Sequence, residues 1–374
     1  MQTLSLRLRL IVTGAALAAG ALMVSSAASA SADRAVFVQT DNPAGNQVAA
    51  YDREPGGTLT AAGTYSTGGL GGALEGSVVD HLASQGALTY DREDGLLYAV
   101  NAGSNTISVF AVFGDRLALR QVLASGGSFP VSVAASNGLV YVLNALEGGA
   151  LQGFRIVDGR LVPLPGPPRA LGLDPGAKPQ FTNTPGQVQF SPDGTQLVVT
   201  TKANGNDVDV FGVNAAGHLS KAVVNPLPGD VPFAVNFDQQ RHLLVSEAGP
   251  SALASFELKE DGKIAQLDSV PTGQAASCWV ARAGRHFYAS NTGSGSVTGF
   301  QSSVGGQLLS EISRTSTDAG PVDATVPSGA RFLYVQTGGE GNVDEFAIEP
   351  GGTLVKVGVV TVPGAVGGEG IAAQ

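Results

Sequence analysis

An all-β fold, a seven-bladed β-propeller of four-stranded antiparallel blades, is what this sequence predicts, on three observations. The first is composition: 52 glycines and 20 prolines with only 14% charged residues describe short strands joined by tight turns. The second is a unit that recurs seven times, an alternating strand, a polar glycine-rich loop, a second alternating strand and a turn. Its anchor residues Phe37, Tyr98, Tyr141, Val198, Leu244, Tyr288 and Tyr334 fall 43 to 61 residues apart, the period of a propeller blade. The third lies at the two ends. The first unit lacks its innermost strand and the last residues, GGEGIAA, read as a lone one, so pairing the C-terminal strand with the N-terminal blade closes the ring and removes exposed edges.

The elements follow in chain order. Arg7 and Arg9 precede an apolar run over residues 10–24 that ends in small residues up to Ala30-Ser31-Ala32, the pattern of a secretory signal. Residues 1–32 are therefore read as a signal peptide and 33–374 as one propeller domain. Neither that run nor any later one has the roughly 20 apolar residues of a membrane-spanning helix, so the expectation is a secreted protein, extracellular or in the periplasm or cell envelope, without membrane insertion.

Two of the 21 basic residues and none of the 31 acidic ones lie in the leader, which leaves the remainder at about −12. That charge excludes nucleic acid as a main partner, since it needs a basic footprint. The one cysteine, Cys278, has no internal disulfide partner, so a sizeable core must hold the chain, and a monomer is expected. With four histidines and one cysteine, three soft ligands do not converge readily, so no metal site and no cofactor is expected.

The innermost strands are read as FPVSV, PGQVQF, PFAVNF, SCWVA and PVDATV. Counting alternately along them turns Ser132, Gln187, Gln189, Asn236, Trp279, Asp323 and Thr325 toward the central channel, and Cys278 into the sheet. Loops such as NAGSNTISVF and NTGSGSVTGF join the second and third strands of blades. Their recurrence in every blade favours turn punctuation over a phosphate loop. Lys202, Glu247 and Glu369 fall on the same face as these loops. Gln187, Asn236, Trp279, Asp323, Lys202 and Glu369 are the expected ligand-binding set for a small polar or sugar-like metabolite, Trp279 as an aromatic plate beside amides and hydroxyls. His81, in the long segment GGALEGSVVDHLASQ with Glu75 and Asp80 nearby, is a candidate general base.

The stretches DGLLYAVNAGSNTISVF, SPDGTQLVVT and ARFLYVQTGGEGNVDEF resemble the lactonase-like seven-bladed propellers with YVTN-type repeats. That family includes bacterial 6-phosphogluconolactonases and fungal carboxymuconate-lactonizing, 3-carboxymuconate cyclase-like enzymes. The resemblance covers nearly all of residues 33–374 and implies lactone-hydrolysing or lactone-isomerising chemistry. It also implies a role for Glu247, in VSEA, as the family's acidic residue, which with His81 makes the expected catalytic pair. Phe233 and Ala234 stand where the family carries Arg and His, and the stretch NTPGQVQFSPDG holds no histidine where the family has a histidine-rich segment; Arg169 and Lys178, in a long insertion, are candidate replacement cations. The alternative reading is a non-catalytic extracellular module that binds protein or glycan through its loops.

Overall fold

The computed structural model describes residues 34–374, and the expected signal peptide, residues 1–32, lies outside the described residues. Seven antiparallel sheets follow one another, each ordered from innermost to outermost strand along the chain. The first is assembled from both ends: Ile371–Ala373 pairs with Ala35–Gln39, in register Val36 with Ala373 and Val38 with Ile371. This is the ring closure that the sequence predicts. The third blade gains a short fifth strand, Arg169–Ala170, beside Ala150–Val157.

The expected innermost strands appear as Pro130–Ser136, Gln187–Phe190, Pro232–Phe237, Ser277–Ala283 and Pro321–Thr325. The second blade's, Leu88–Asp91, carries no proline and was not anticipated. Four of these inner strands shift register after their first residue, as between Ser277 and Trp279 or Pro232 and Val235. Such a bulge adds a residue and breaks strict alternation. For that reason Cys278 does not turn into the sheet as expected, but lines a cavity beside Trp279.

The repeat residues have clear physical work. Anchor tyrosines reach across to the next blade: the hydroxyls of Tyr141, Tyr288 and Tyr334 donate to the carbonyls of Gly217, Gly352 and Gly57. All three glycines sit at positive φ, between 84° and 96°, in outer turns that only glycine adopts without strain. The two related loops are turns held by asparagine clamps. Asn101 Nδ2 donates to Thr106 Oγ1 (3.1 Å) and Ser108 Oγ (2.8 Å), and Asn291 Nδ2 to Ser296 Oγ (3.1 Å) and Thr298 Oγ1 (2.9 Å).

Two long connections leave the repeat, residues 67–87 between blades one and two and residues 164–186 between blades three and four. The first enters the central channel. Leu82, Ala83 and Ser84 are fully buried there, and the Gln85 side chain pairs with both backbone groups of Val280 (3.2 and 2.9 Å). Gln85 N donates to Gly186 O (3.1 Å) and Ser84 Oγ to Val131 O (2.8 Å). The channel is thus filled with peptide, and polar residues expected to face it bind that peptide or a neighbouring inner strand: Ser132 Oγ donates to Gln85 O (2.7 Å) and Gln187 Oε1 accepts from Val235 N (2.7 Å).

Candidate functional site

Above the plug, off the channel axis toward blades four to six, is a cavity of about 560 Å³. Val78, Val79 and Asp80 of the first insert and Phe181 and Thr182 of the second form one side. The opposite side is Val231, Phe233, Ala248 and Gly249 of blade five with Ala276, Cys278, Trp279, Thr292 and Gly293 of blade six. Its walls are mainly aliphatic and aromatic. Phe233 packs on Trp279 with ring centroids 4.7 Å apart, and both form part of the cavity wall.

Lys202 and Asp80 are the charged groups of the lining. Lys202 begins a single-turn helix, Lys202–Gly205, and its Nζ donates to Ala83 O and Phe181 O, both at 2.6 Å. One side chain therefore ties both inserts to blade four. The ammonium lies 5.2 Å from the centre of the Phe233 ring, a cation–π distance. Burial pushes Lys202 down to about 8, with Asp80 and Glu369 opposing. Burial pushes Asp80 up to about 6, with Lys202 opposing.

Beneath this floor is a buried acidic layer. Glu369 accepts from Leu82 N (3.1 Å), Ser84 N (2.8 Å) and Trp279 Nε1 (3.0 Å), so it holds the plug and orients the indole. Burial, then Asp80, push its carboxyl well above the usual range. Asp41 accepts from Glu369 N (2.7 Å) and burial raises it to about 8. Asp323 accepts from Ala324 N (2.9 Å) and burial raises it to about 7.

Of the expected residues, the structure places Lys202 and Trp279 on the cavity, and Glu369, Asp323 and Gln187 below it around the plug. Asn236 lies at the opposite channel mouth, beside Arg282 and Thr325 in a separate cavity of about 410 Å³. Glu247 and His81 are held by different neighbours. Glu247 is buried, accepts from Ser269 Oγ (3.2 Å), and is raised to about 7 by burial and Asp230. His81 packs against Gly367 and its ring bonds the Asp41 carbonyl. Glu75 pairs with Lys178, and Arg169 donates to Leu219 O (3.3 Å); none of these three lines the cavity. Phe181, with the second insert, was missed, because neither insert repeats anywhere in the chain.

A larger depression, about 620 Å³, lies on the far face around Asp193, Arg241 and His242. Its walls are outer turns and an exposed ion pair, and the Asp238 carboxylate holds His242 Nδ1 at 2.8 Å, which completes a local turn.

The acidic layer makes stability depend on pH. A carboxyl whose pKa is raised on folding stays protonated where the unfolded chain is ionised, so its contribution is full below its unfolded pKa and is lost as pH rises through the folded value. For Asp41 that window runs from 3.8 to about 8, and Asp323, Asp209 and Glu247 act in the same sense up to about 7. His81 and His286, lowered by burial from 6.5, oppose this only below that value, and Lys202 acts only above about 8. Denaturant unfolding is therefore expected to show stability falling from pH 6.5 to 8, by about 1.4 kcal/mol per pH unit for each carboxyl still protonated. A flat or rising profile there contradicts the assignment.

Fold and site together define a seven-bladed propeller with a plugged channel and an insert-walled cavity on one face. No family model matches the sequence, and no curated protein matches it. Among solved structures, a Bacteroides uniformis protein provisionally assigned as a 6-phosphogluconolactonase superposes with a TM-score of 0.73 at 17% identity, covering 90% of this chain and 98% of its own. The periplasmic gluconolactonase of Pseudomonas aeruginosa gives 0.72 at 17% identity, covering 91% and 98%, and a protein from Lactobacillus plantarum gives 0.71 at 22%, with the same coverage. At these identities the likeness is one of fold, and the resemblance to lactonase-like propellers holds at that level.

Proposed function

We propose that this protein is an exported ligand-binding propeller whose insert-walled cavity takes a small, neutral, largely apolar molecule of cyclic-ester type. The carrying observation is the cavity itself: aliphatic and aromatic walls around Phe233 and Trp279, with Lys202 already engaged by two carbonyls and opposed by Asp80. Such a lining suits an apolar ring with one polar end. It offers no arginine, and its one lysine is balanced by its neighbours, so a phosphorylated sugar would lose more hydration than it regains. The cyclic-ester class is supported by the neighbouring gluconolactonase, and export by the leader pattern of residues 1–32 together with that neighbour's periplasmic location.

Trp279 is the only tryptophan of the chain, which makes the cavity its own reporter. Titration with δ-decalactone or dihydrocoumarin is expected to change its emission saturably, while glucono-δ-lactone leaves it unchanged. A response confined to gluconolactone, or to no lactone at all, contradicts the proposal.

A further inference from the structure

Lys202 invites a count of its donors. A protonated amine carries three N–H groups and a neutral one carries two. Ala83 O and Phe181 O each sit 2.6 Å from Nζ, so the neutral form is fully satisfied as a donor and its lone pair is left for the remaining direction. Lys202 has no ion pair among the described residues, although it is 1% exposed. A buried ammonium without a contacting carboxylate favours its neutral form, as its lowered pKa also indicates. The amine lines an apolar cavity, the setting in which lysines act as nucleophiles. Asp80, whose carboxyl is held by the backbone N–H groups of residues 78–80, lines the same cavity.

We propose that Lys202 is a covalent capture site for an apolar aldehyde or ketone. The Nζ lone pair adds to the carbonyl carbon, the C=O pair moves to oxygen, and a proton passes from nitrogen through Asp80 to that oxygen, giving a carbinolamine. Protonated Asp80 then gives a proton to the hydroxyl, which leaves as water while the nitrogen lone pair forms the C=N bond, and the nitrogen returns its remaining N–H proton to the Asp80 carboxylate. The net change is amine plus carbonyl to imine plus water, with no oxidant or reductant. The packed Phe233–Trp279 pair would form one wall against the captured body, and Phe181 would cover it. This inference uses the cavity of the proposed function but does not depend on the ligand there being a lactone.

The test is reductive trapping of the intact protein with benzaldehyde and cyanoborohydride at pH 7, read by peptide mass mapping. Burial lowers the Lys202 pKa, so a larger share of it is neutral at pH 7 than of an ordinary lysine, for which that share is under about one-thousandth. Lys202 is therefore expected to take a single benzyl adduct at least about 10-fold faster than any of the other five lysines. Lys202→Arg, which keeps donors for both carbonyls, is expected to fold and to lose the adduct, while Asp80→Asn keeps the site and slows trapping at least 10-fold. Adducts spread evenly over the six lysines, an adduct rate unchanged in Lys202→Arg, or trapping indifferent to Asp80→Asn each overturns the proposal. Failure of lactones to change Trp279 emission would sink the proposed function without touching this result.

Discussion

Deleting residues 371–374 is expected to cost about 5 kcal/mol, enough to leave much of the protein unfolded at 37 °C. The deletion removes the three-pair ladder between Ile371–Ala373 and Ala35–Gln39. It also removes the bonds from Gln374 N to Ala35 O (3.0 Å), Ser328 N to Gln374 O (3.2 Å) and Ala35 N to Gln374 Oε1 (3.2 Å). Each bond contributes about 1 kcal/mol, and burial of Ile371 about 2 kcal/mol more. A typical domain is stable by only about 5–15 kcal/mol. The opened ring would also present a buried strand edge, so aggregation should accompany the loss. Thermal unfolding of the truncated chain checks this, and a melting temperature within a few degrees of the full chain would show that closure is not made here.

The second large effect is local. Lys202→Met takes the donor from two buried carbonyls, Ala83 O and Phe181 O, and each orphaned group costs about 1–3 kcal/mol. The blades keep their ladders, so the loss should appear as loosening of the inserts rather than as collapse. Hydrogen exchange by mass spectrometry is expected to speed by about 10²-fold or more over residues 78–86 and 180–183, with the strands of blades one and seven unchanged. Uniform protection throughout would mean that the inserts are held by other contacts. Glu369 and Trp279 are the obvious ones, since Glu369 accepts from Leu82 N and Ser84 N and Trp279 Nε1 donates to Ser84 O.

The fold was legible because a propeller writes itself seven times. Tyr141, Tyr288 and Tyr334 recur because each must reach a glycine turn of the next blade, and the clamps Asn101 and Asn291 recur because each closes the same turn. The site was legible only where it borrows from the repeat. Lys202 is assigned from its loop and Trp279 by alternation, and the structure brings both to the insert cavity, but the alternation fails at Cys278, where a bulge inserts a residue. The plug carries a signal of its own: Ala83, Ser84, Gly86 and Ala87, interrupted only by Gln85, are small enough to thread a narrow channel. Phe181 and Asp80 come from segments without a second copy, so no periodicity could bring them together. Glu247, carried over by resemblance, sits in the blade with Ser269, while Phe233, noted only as a departure from that resemblance, forms a wall.

Ligand binding is expected in the cavity between the inserts rather than in the channel or on the far face. A crystal structure of the protein soaked with δ-decalactone tests that directly. The expected result is ligand density between Phe181 and Phe233 above the Trp279 indole, with its polar end toward Lys202 and Asp80. Density instead beside Arg241 and His242, or in the cup around Asn236 and Arg282, with the insert cavity empty, would contradict it.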